Sequence, residues 1–157
     1  MNNKDYTVLE IEPRLGTNKI KFGTQIEKVI KLIGNPDETT NLDNDDDNMN
    51  IVVCNYWDKG YSLFFEGDDN PVFTCADVDN RNITLFGKKI FELKKIDIIT
   101  LMGANGYSNP ETEEEVWGET RLSYPNAVLD FYFENGSLNS VSWGADMNNK
   151  GEYLFQE

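Results

Sequence analysis

The sequence has no histidine among its 157 residues. That absence removes Ser-His-Asp and Cys-His nucleophilic catalysis and every His-ligated zinc site. Cysteine is scarce as well: Cys54 and Cys75 are too few for a disulfide scaffold. Both sit in apolar, strand-like contexts, where two buried free thiols are expected and one disulfide is the alternative. Neither a G-x-G-x-x-G loop nor a Walker motif occurs, so no phosphate cradle is read. No apolar run approaches the ~20 residues that a membrane-spanning helix requires. The opening residues, Met1 to Tyr6, lack the apolar stretch of a secretory signal, which leads to the expectation of a cytoplasmic protein. Bases are also few, 14 against 28 acids, for a net charge of −14. Such a surface repels nucleic acid and anionic membrane. It suits a basic protein partner, or simply solubility.

What the chain does have is enough apolar residues, 39%, to build a core. Its clearest local signal runs from Ile20 to Pro36. Ile20-Lys21-Phe22 alternates like a strand and Gly23 turns the chain. Thr24 with Glu27 reads as a capping box, and Ile26, Val29, Ile30 and Ile33 form one helical face. Gly34 and Pro36 stop that helix. A first strand is expected over Tyr6–Ile11, and Asp37 to Asn50 reads as a polar loop. Ile51–Trp57, Tyr61–Glu66 and Val72–Val78 then read as a three-strand meander. The signal restarts at Asn82–Gly87. A second helix is expected over Glu92–Met102 on Ile96, Ile99 and Met102, stopping at Gly103. An acidic loop, Tyr107–Glu115, follows, and then strands near Val116–Tyr124, Val128–Glu134 and Ser137–Trp143. Asn135-Gly136 marks a hairpin turn, and Glu152–Phe155 a short closing strand.

The halves can be superimposed in sequence. Gly34 falls on Gly103 at a shift of 69, and Tyr56 on Tyr124 at 68. The same 68 carries Tyr61, Leu63, Phe65 and Glu66 onto Leu129, Phe131, Phe133 and Glu134. The expected fold is therefore α+β. Two tandem helix-plus-antiparallel-meander repeats, about 18–80 and 81–145, share one sheet with the helices on one face, in a single domain over 1–157.

Gly23, Val29, Leu32, Gly34 and Pro36, spaced G-x5-V-x2-L-x-G-x-P, resemble the entry helix of a group of small α/β modules. That group includes the SmpA/OmlA-type outer-membrane assembly lipoproteins and the tandem-repeat β-lactamase inhibitor proteins. The segment from Ile11 to Gly16, running into Phe22-Gly23, is similar to small bacterial proteins of which some act as immunity proteins beside toxins. The resemblance implies a binding module rather than an enzyme, and it carries over no catalytic residue.

Candidate sites are weighed against that background. Asp43, Asp45 and Asp47 match the first three ligands of an EF-hand loop, but Asn48 stands at the required glycine and Cys54 at the bidentate glutamate. A solvated loop is the better reading, and no metal or cofactor is expected. In the hairpin at Asn135-Gly136, Phe133 is expected to pair with Leu138, Phe131 with Ser140 and Leu129 with Ser142. The other face then carries Tyr132, Val141 and Trp143 beside Asp130, Glu134 and Asn139, with Phe64 and Glu66 alike in the first half. Trp57 either anchors its neighbouring loop or lines the rim of that face. Aromatics interleaved with acids resemble a protein-binding surface, though packing among themselves or under the long loops weighs slightly more. The expected partner-binding residues are Trp57, Phe64, Glu66, Asp130, Tyr132, Glu134 and Trp143. The expected role is a non-catalytic, immunity-type inhibitor that covers a basic protein. The alternative is a scaffolding module related to envelope assembly proteins.

Overall fold

The computed structural model of the chain describes residues 9–44, 49–115 and 118–155. Strands β1 (Glu10–Glu12) and β2 (Gly16–Thr17) precede helix α1 (Ile26–Ile33). Four strands follow: β3 (Glu38–Asn44), β4 (Met49–Tyr56), β5 (Tyr61–Glu66) and β6 (Val72–Val78). A short hairpin, β7 (Thr84–Leu85) and β8 (Lys88–Lys89), leads to α2 (Lys95–Ala104). Then come β9 (Glu111–Glu114), β10 (Thr120–Tyr124), β11 (Leu129–Glu134) and β12 (Ser137–Gly144). A last hairpin, β13 (Asp146–Met147) and β14 (Tyr153–Leu154), closes the chain.

The molecule is α+β. Its main sheet has eight antiparallel strands in the order β3-β4-β5-β6-β12-β11-β10-β9, so each run of four strands keeps its own neighbours and the two runs meet at β6 and β12. A small sheet, β2-β1-β7-β8, joins the start of the chain to the start of the second half through the parallel pair β1–β7. Alternation decides what is buried. Tyr61, Leu63 and Phe65 of β5 and Leu129, Phe131 and Phe133 of β11 point to one face, while Ser62, Phe64, Asp130 and Tyr132 point to the other. The first face packs with Val29 and Ile33 of α1, Ile98 and Met102 of α2, and Ile11 and Leu85 of the small sheet in one core. Among the described residues, no α-helix lies over the second face.

Each run of four strands has the same internal landmarks. A 3₁₀ turn links the second strand to the third, Trp57–Lys59 in one run and Pro125–Ala127 in the other, and each ends on a left-handed residue, Gly60 or Val128. A β-bulge lies in the following hairpin, between Phe64 and Phe65 in the first run and between Tyr132 and Phe133 in the second. Thr74 is the extra residue in one and Asn139 in the other.

That second bulge corrects the expected pairing. Phe133 pairs with Leu138, but Asn139 is skipped, so Phe131 faces Val141 and Leu129 faces Trp143. One extra residue exchanges the faces of everything beyond it. Val141 and Trp143 therefore lie in the core, Trp143 at 1% exposure, with its indole N–H donated to the Gly16 carbonyl at 2.8 Å.

The two acidic loops are corrected too. Asp37–Asn50 contains β3, and Tyr107–Glu115 contains β9, so each run has four strands rather than three. Both are the outermost strands of the sheet, where charged side chains in water discourage pairing with another chain. Thr24 does not cap α1. Its hydroxyl donates to the Lys21 carbonyl at 2.7 Å, and its own carbonyl accepts from Phe73 of β6. Bridging to the sheet outcompetes the cap, and the helix begins at Ile26. Gly34 ends α1 as expected, with φ of +95°. In α2 the buried pair is Ile98 and Met102, whereas Ile96 is 64% exposed, and the helix runs one residue past Gly103. Residues 45–48, 116–117 and the first half of the expected strand at Tyr6–Ile11 fall outside the described residues, as do Asp45, Asp47 and Asn48 of the EF-hand comparison.

Candidate functional site

The uncovered face of the main sheet is polar along a line that crosses all eight strands. Residues in direct register run Glu38, Asn55, Ser62, Asp77, Ser142, Asp130, Ser123 and Glu111, one from each strand. Acids and small hydrogen-bonding side chains thus replace the apolar residues that a second covering layer requires. Within the row the Ser62 hydroxyl donates to Asn55 Oδ1 at 2.7 Å. Cys54 and Cys75 are both free and belong to opposite faces, which excludes a disulfide between them in this fold. Burial raises both thiol pKa values. For Cys75, burial first and the charge of Asp77 second push it up to about 12, so neither is a reactive thiolate.

Two hollows bordered by described residues are informative on this face. The first, of about 380 Å³, is bounded by Trp57, Ser62, Asp77, Asp79, Glu119 and Tyr132, with Ser140 at its base. Its aromatic wall is placed by the 3₁₀ turn after β4. The Tyr56 hydroxyl donates to the Gly34 carbonyl at 2.9 Å and the Lys59 ammonium to the Ile33 carbonyl, so the end of α1 holds the turn from below. From the side, Asn80 donates to the Lys59 carbonyl at 2.7 Å, and the Asp79 amide to the Gly60 carbonyl. Gly60 permits this approach: at φ of +73° a Cβ there would lie 2.9 Å from Asn80. Trp57 is left 61% exposed at the rim.

Three carboxylates line the rest of the hollow. Among the described residues that line it, Asp77, Asp79 and Glu119 are acidic and none is basic. Burial raises the Asp77 pKa, against the effect of its hydrogen bond with Ser142. Asn139, the bulge residue, donates to Glu119 at 2.7 Å. Arg121 stands opposite Tyr132 in the sheet, within hydrogen-bonding reach of its phenol, and pairs on its other side with Glu113 and Glu115. Burial also raises the Tyr132 pKa, with the Asp130 charge adding to it.

The second hollow, of about 340 Å³, lies toward the opposite end of the same face. Cys75, Asp130, Ser142 and Val128 border it, and Met147 and Tyr153 of the last hairpin form one wall. That hairpin is tied down at both ends. Arg14 donates to both carboxylate oxygens of Asp146, at 2.9 and 2.8 Å, and the Tyr153 hydroxyl donates to Glu66, which also accepts from Thr74 at 2.6 Å.

The expected site residues divide accordingly. Trp57 and Tyr132 share the first hollow, with Glu134 exposed two residues further along β11. Asp130 belongs to the second hollow, Glu66 is engaged by the hairpin, and Phe64 lies half-buried between Val53 and Cys75. Trp143 is in the core and is withdrawn from the exposed set. Sequence reasoning missed Asp77, Asp79 and Glu119. Asp77 had a signal, since it alternates with Ala76 and Val78 along β6; Asp79 and Glu119 lie in connections where no periodicity marks a face. Among the described residues no group of three or more acidic or cysteine side chains is placed to hold a metal ion, and no helix is long and apolar enough to cross a membrane. Comparison with family models, characterised proteins and solved structures finds no match to this chain.

Proposed function

We propose that the chain is a non-catalytic protein-binding module, of the kind represented by immunity-type inhibitors, which neutralises a basic protein by covering its cationic cleft with the open face of the sheet. The observation that carries this reading is the first hollow, where Trp57 and Tyr132 stand over Asp77, Asp79 and Glu119. Aromatic faces and carboxylates together favour a desolvated cation: the rings attract it through their quadrupoles, worth about 0.5–2 kcal/mol, and the carboxylates by charge. The net charge of −14 adds long-range attraction that accelerates encounter with a basic partner. The resemblance of the Gly23–Pro36 stretch to small α/β binding modules points the same way.

Acidic outer strands support a sheet-face mechanism over strand addition. Glu38 on β3 and Glu111, Glu113 and Glu114 on β9 are exposed along the edges that a scaffolding partner would have to extend.

The test is capture from lysate of the source cells with the immobilised chain at low and high salt. The reading predicts retention of one basic protein, weakened by salt and lost with Trp57→Ala. Retention of envelope components through contacts insensitive to Trp57→Ala overturns it in favour of a scaffold.

A further inference from the structure

The two hollows are counterparts. A shift of 68 residues carries Trp57 onto Pro125, Gly60 onto Val128 and Ser62 onto Asp130, and each pair borders the first and second hollow in turn. Across the centre of the sheet a shift of 65 carries Asp77 onto Ser142 and Cys75 onto Ser140, exchanging the same two hollows. The eight-strand order reads the same from either edge, as such a relation requires.

They differ in what borders them. Beside the second hollow lies the chain's own last hairpin, with Met147 and Tyr153 forming one wall and the Tyr153 hydroxyl bonded to Glu66. At the first hollow the counterpart of Glu66 is Glu134, which is exposed, and no described segment of the chain lies over it. They also differ in charge. Where the second hollow has Ser142 and Gly144, the first has Asp77 and Asp79, and where the second turn begins with Pro125, the first begins with the exposed ring of Trp57.

We infer that a segment of the basic partner is laid on the sheet beside the first hollow as the last hairpin borders the second, with an arginine or lysine side chain in the hollow between Trp57 and Tyr132 and a donor on Glu134. This rests on the binding-module reading and adds the place, the posture and the side chain. The second hollow shows how a chain segment is accommodated on this face: apolar contact from one side chain and a hydrogen bond from another to the glutamate at the end of the third strand. Near the first hollow Glu134 stands in the place of Glu66, and the floor is Ser62, Asp77 and Ser140 where the second has Asp130, Ser142 and Cys75. The first hollow's additional carboxylates make a neutral segment a poor occupant, because their desolvation would go uncompensated, and a cationic one a good one.

The experiment is an amide and indole NMR titration of the full chain with nona-arginine, against nona-glutamine at matched salt. Saturable shifts centred on the Trp57 indole, Gly60 and Ser140, absent with nona-glutamine, are expected. Trp57→Ala and Glu134→Gln should each weaken nona-arginine by at least about tenfold while leaving the thermal midpoint unchanged. Shifts spread along β3 and β9 with equal affinity in Trp57→Ala would overturn the inference but leave an acidic binding surface. Shifts confined to Met147 and Tyr153 would overturn it by showing that the peptide displaces the hairpin instead. No binding of nona-arginine would overturn the inference and the binding-module reading together.

Discussion

Tyr56 and Tyr124 occupy matching places, each the last residue before a 3₁₀ turn, yet they differ in one hydrogen bond. Tyr56 donates to the Gly34 carbonyl, whereas the buried Tyr124 hydroxyl has no hydrogen-bond partner among the described residues. Tyr56→Phe should therefore cost about 1 kcal/mol and leave the Gly34 carbonyl without that donor, while Tyr124→Phe should be neutral or slightly stabilising. Urea unfolding of the two variants checks this, and a larger loss from Tyr124→Phe would contradict it. Asp77 gives a pH-dependent case. Burial raises its pKa above the ordinary 3.8, so the folded state holds its proton more tightly than the unfolded chain does. That contribution favours folding at low pH and is lost as pH rises through the raised folded value. Much of Asp77 is open to solvent, so the effect is small. Asp77→Asn should raise the thermal midpoint near neutral pH by about 2 °C or less, with the gain vanishing below the ordinary carboxylate range.

Among the elements, the helices, the inner strands and the hairpin at Asn135-Gly136 were legible because burial gives them a period or a turn signature. Val29 and Ile33 lie on one helical face, and Asn135 and Gly136 both take positive φ. The edge strands were not legible. β9 consists of Glu111, Thr112, Glu113 and Glu114, all exposed, and its pairing comes from backbone groups that leave no apolar alternation. The bulge at Asn139 was also hidden, and with it the side of the sheet to which Trp143 belongs. Because the bulge merely adds a residue, deleting Asn139 should restore regular pairing without exchanging faces. The Asn139-deleted chain should keep the Trp143 indole N–H protected from hydrogen exchange; rapid exchange there would show that the register depends on the bulge. Gly16 is a second fixed point. At φ of +123° a Cβ would lie 2.4 Å from the Ile20 carbonyl, and the same residue accepts the Trp143 indole. Gly16→Ala should destabilise by several kcal/mol in urea unfolding, well beyond the ordinary surface substitution.

For the whole molecule, the main sheet separates two jobs. One face, with Trp143, Phe131, Leu63 and Tyr56, holds the helices and the small sheet, and the other presents the polar row and the two hollows. Half of the candidate site was legible: aromatics and acids alternating along β11 identified Tyr132 and Glu134, while the acids contributed by connections became visible only once the 3₁₀ turn at Trp57 was in place. The division predicts opposite behaviour for two tryptophans. Trp143→Ala removes a fully buried side chain and should cost about 3–5 kcal/mol. Trp57→Ala should stay within about 0.5 kcal/mol of the parent, as exposed substitutions do, so its effect on binding can be read without a folding defect. The most direct measurement is the dissociation constant of the captured basic partner for the parent chain and for Trp57→Ala. A loss of at least about tenfold with an unchanged thermal midpoint is expected, as for an interface anchor. An unchanged constant would place the binding surface elsewhere and contradict it.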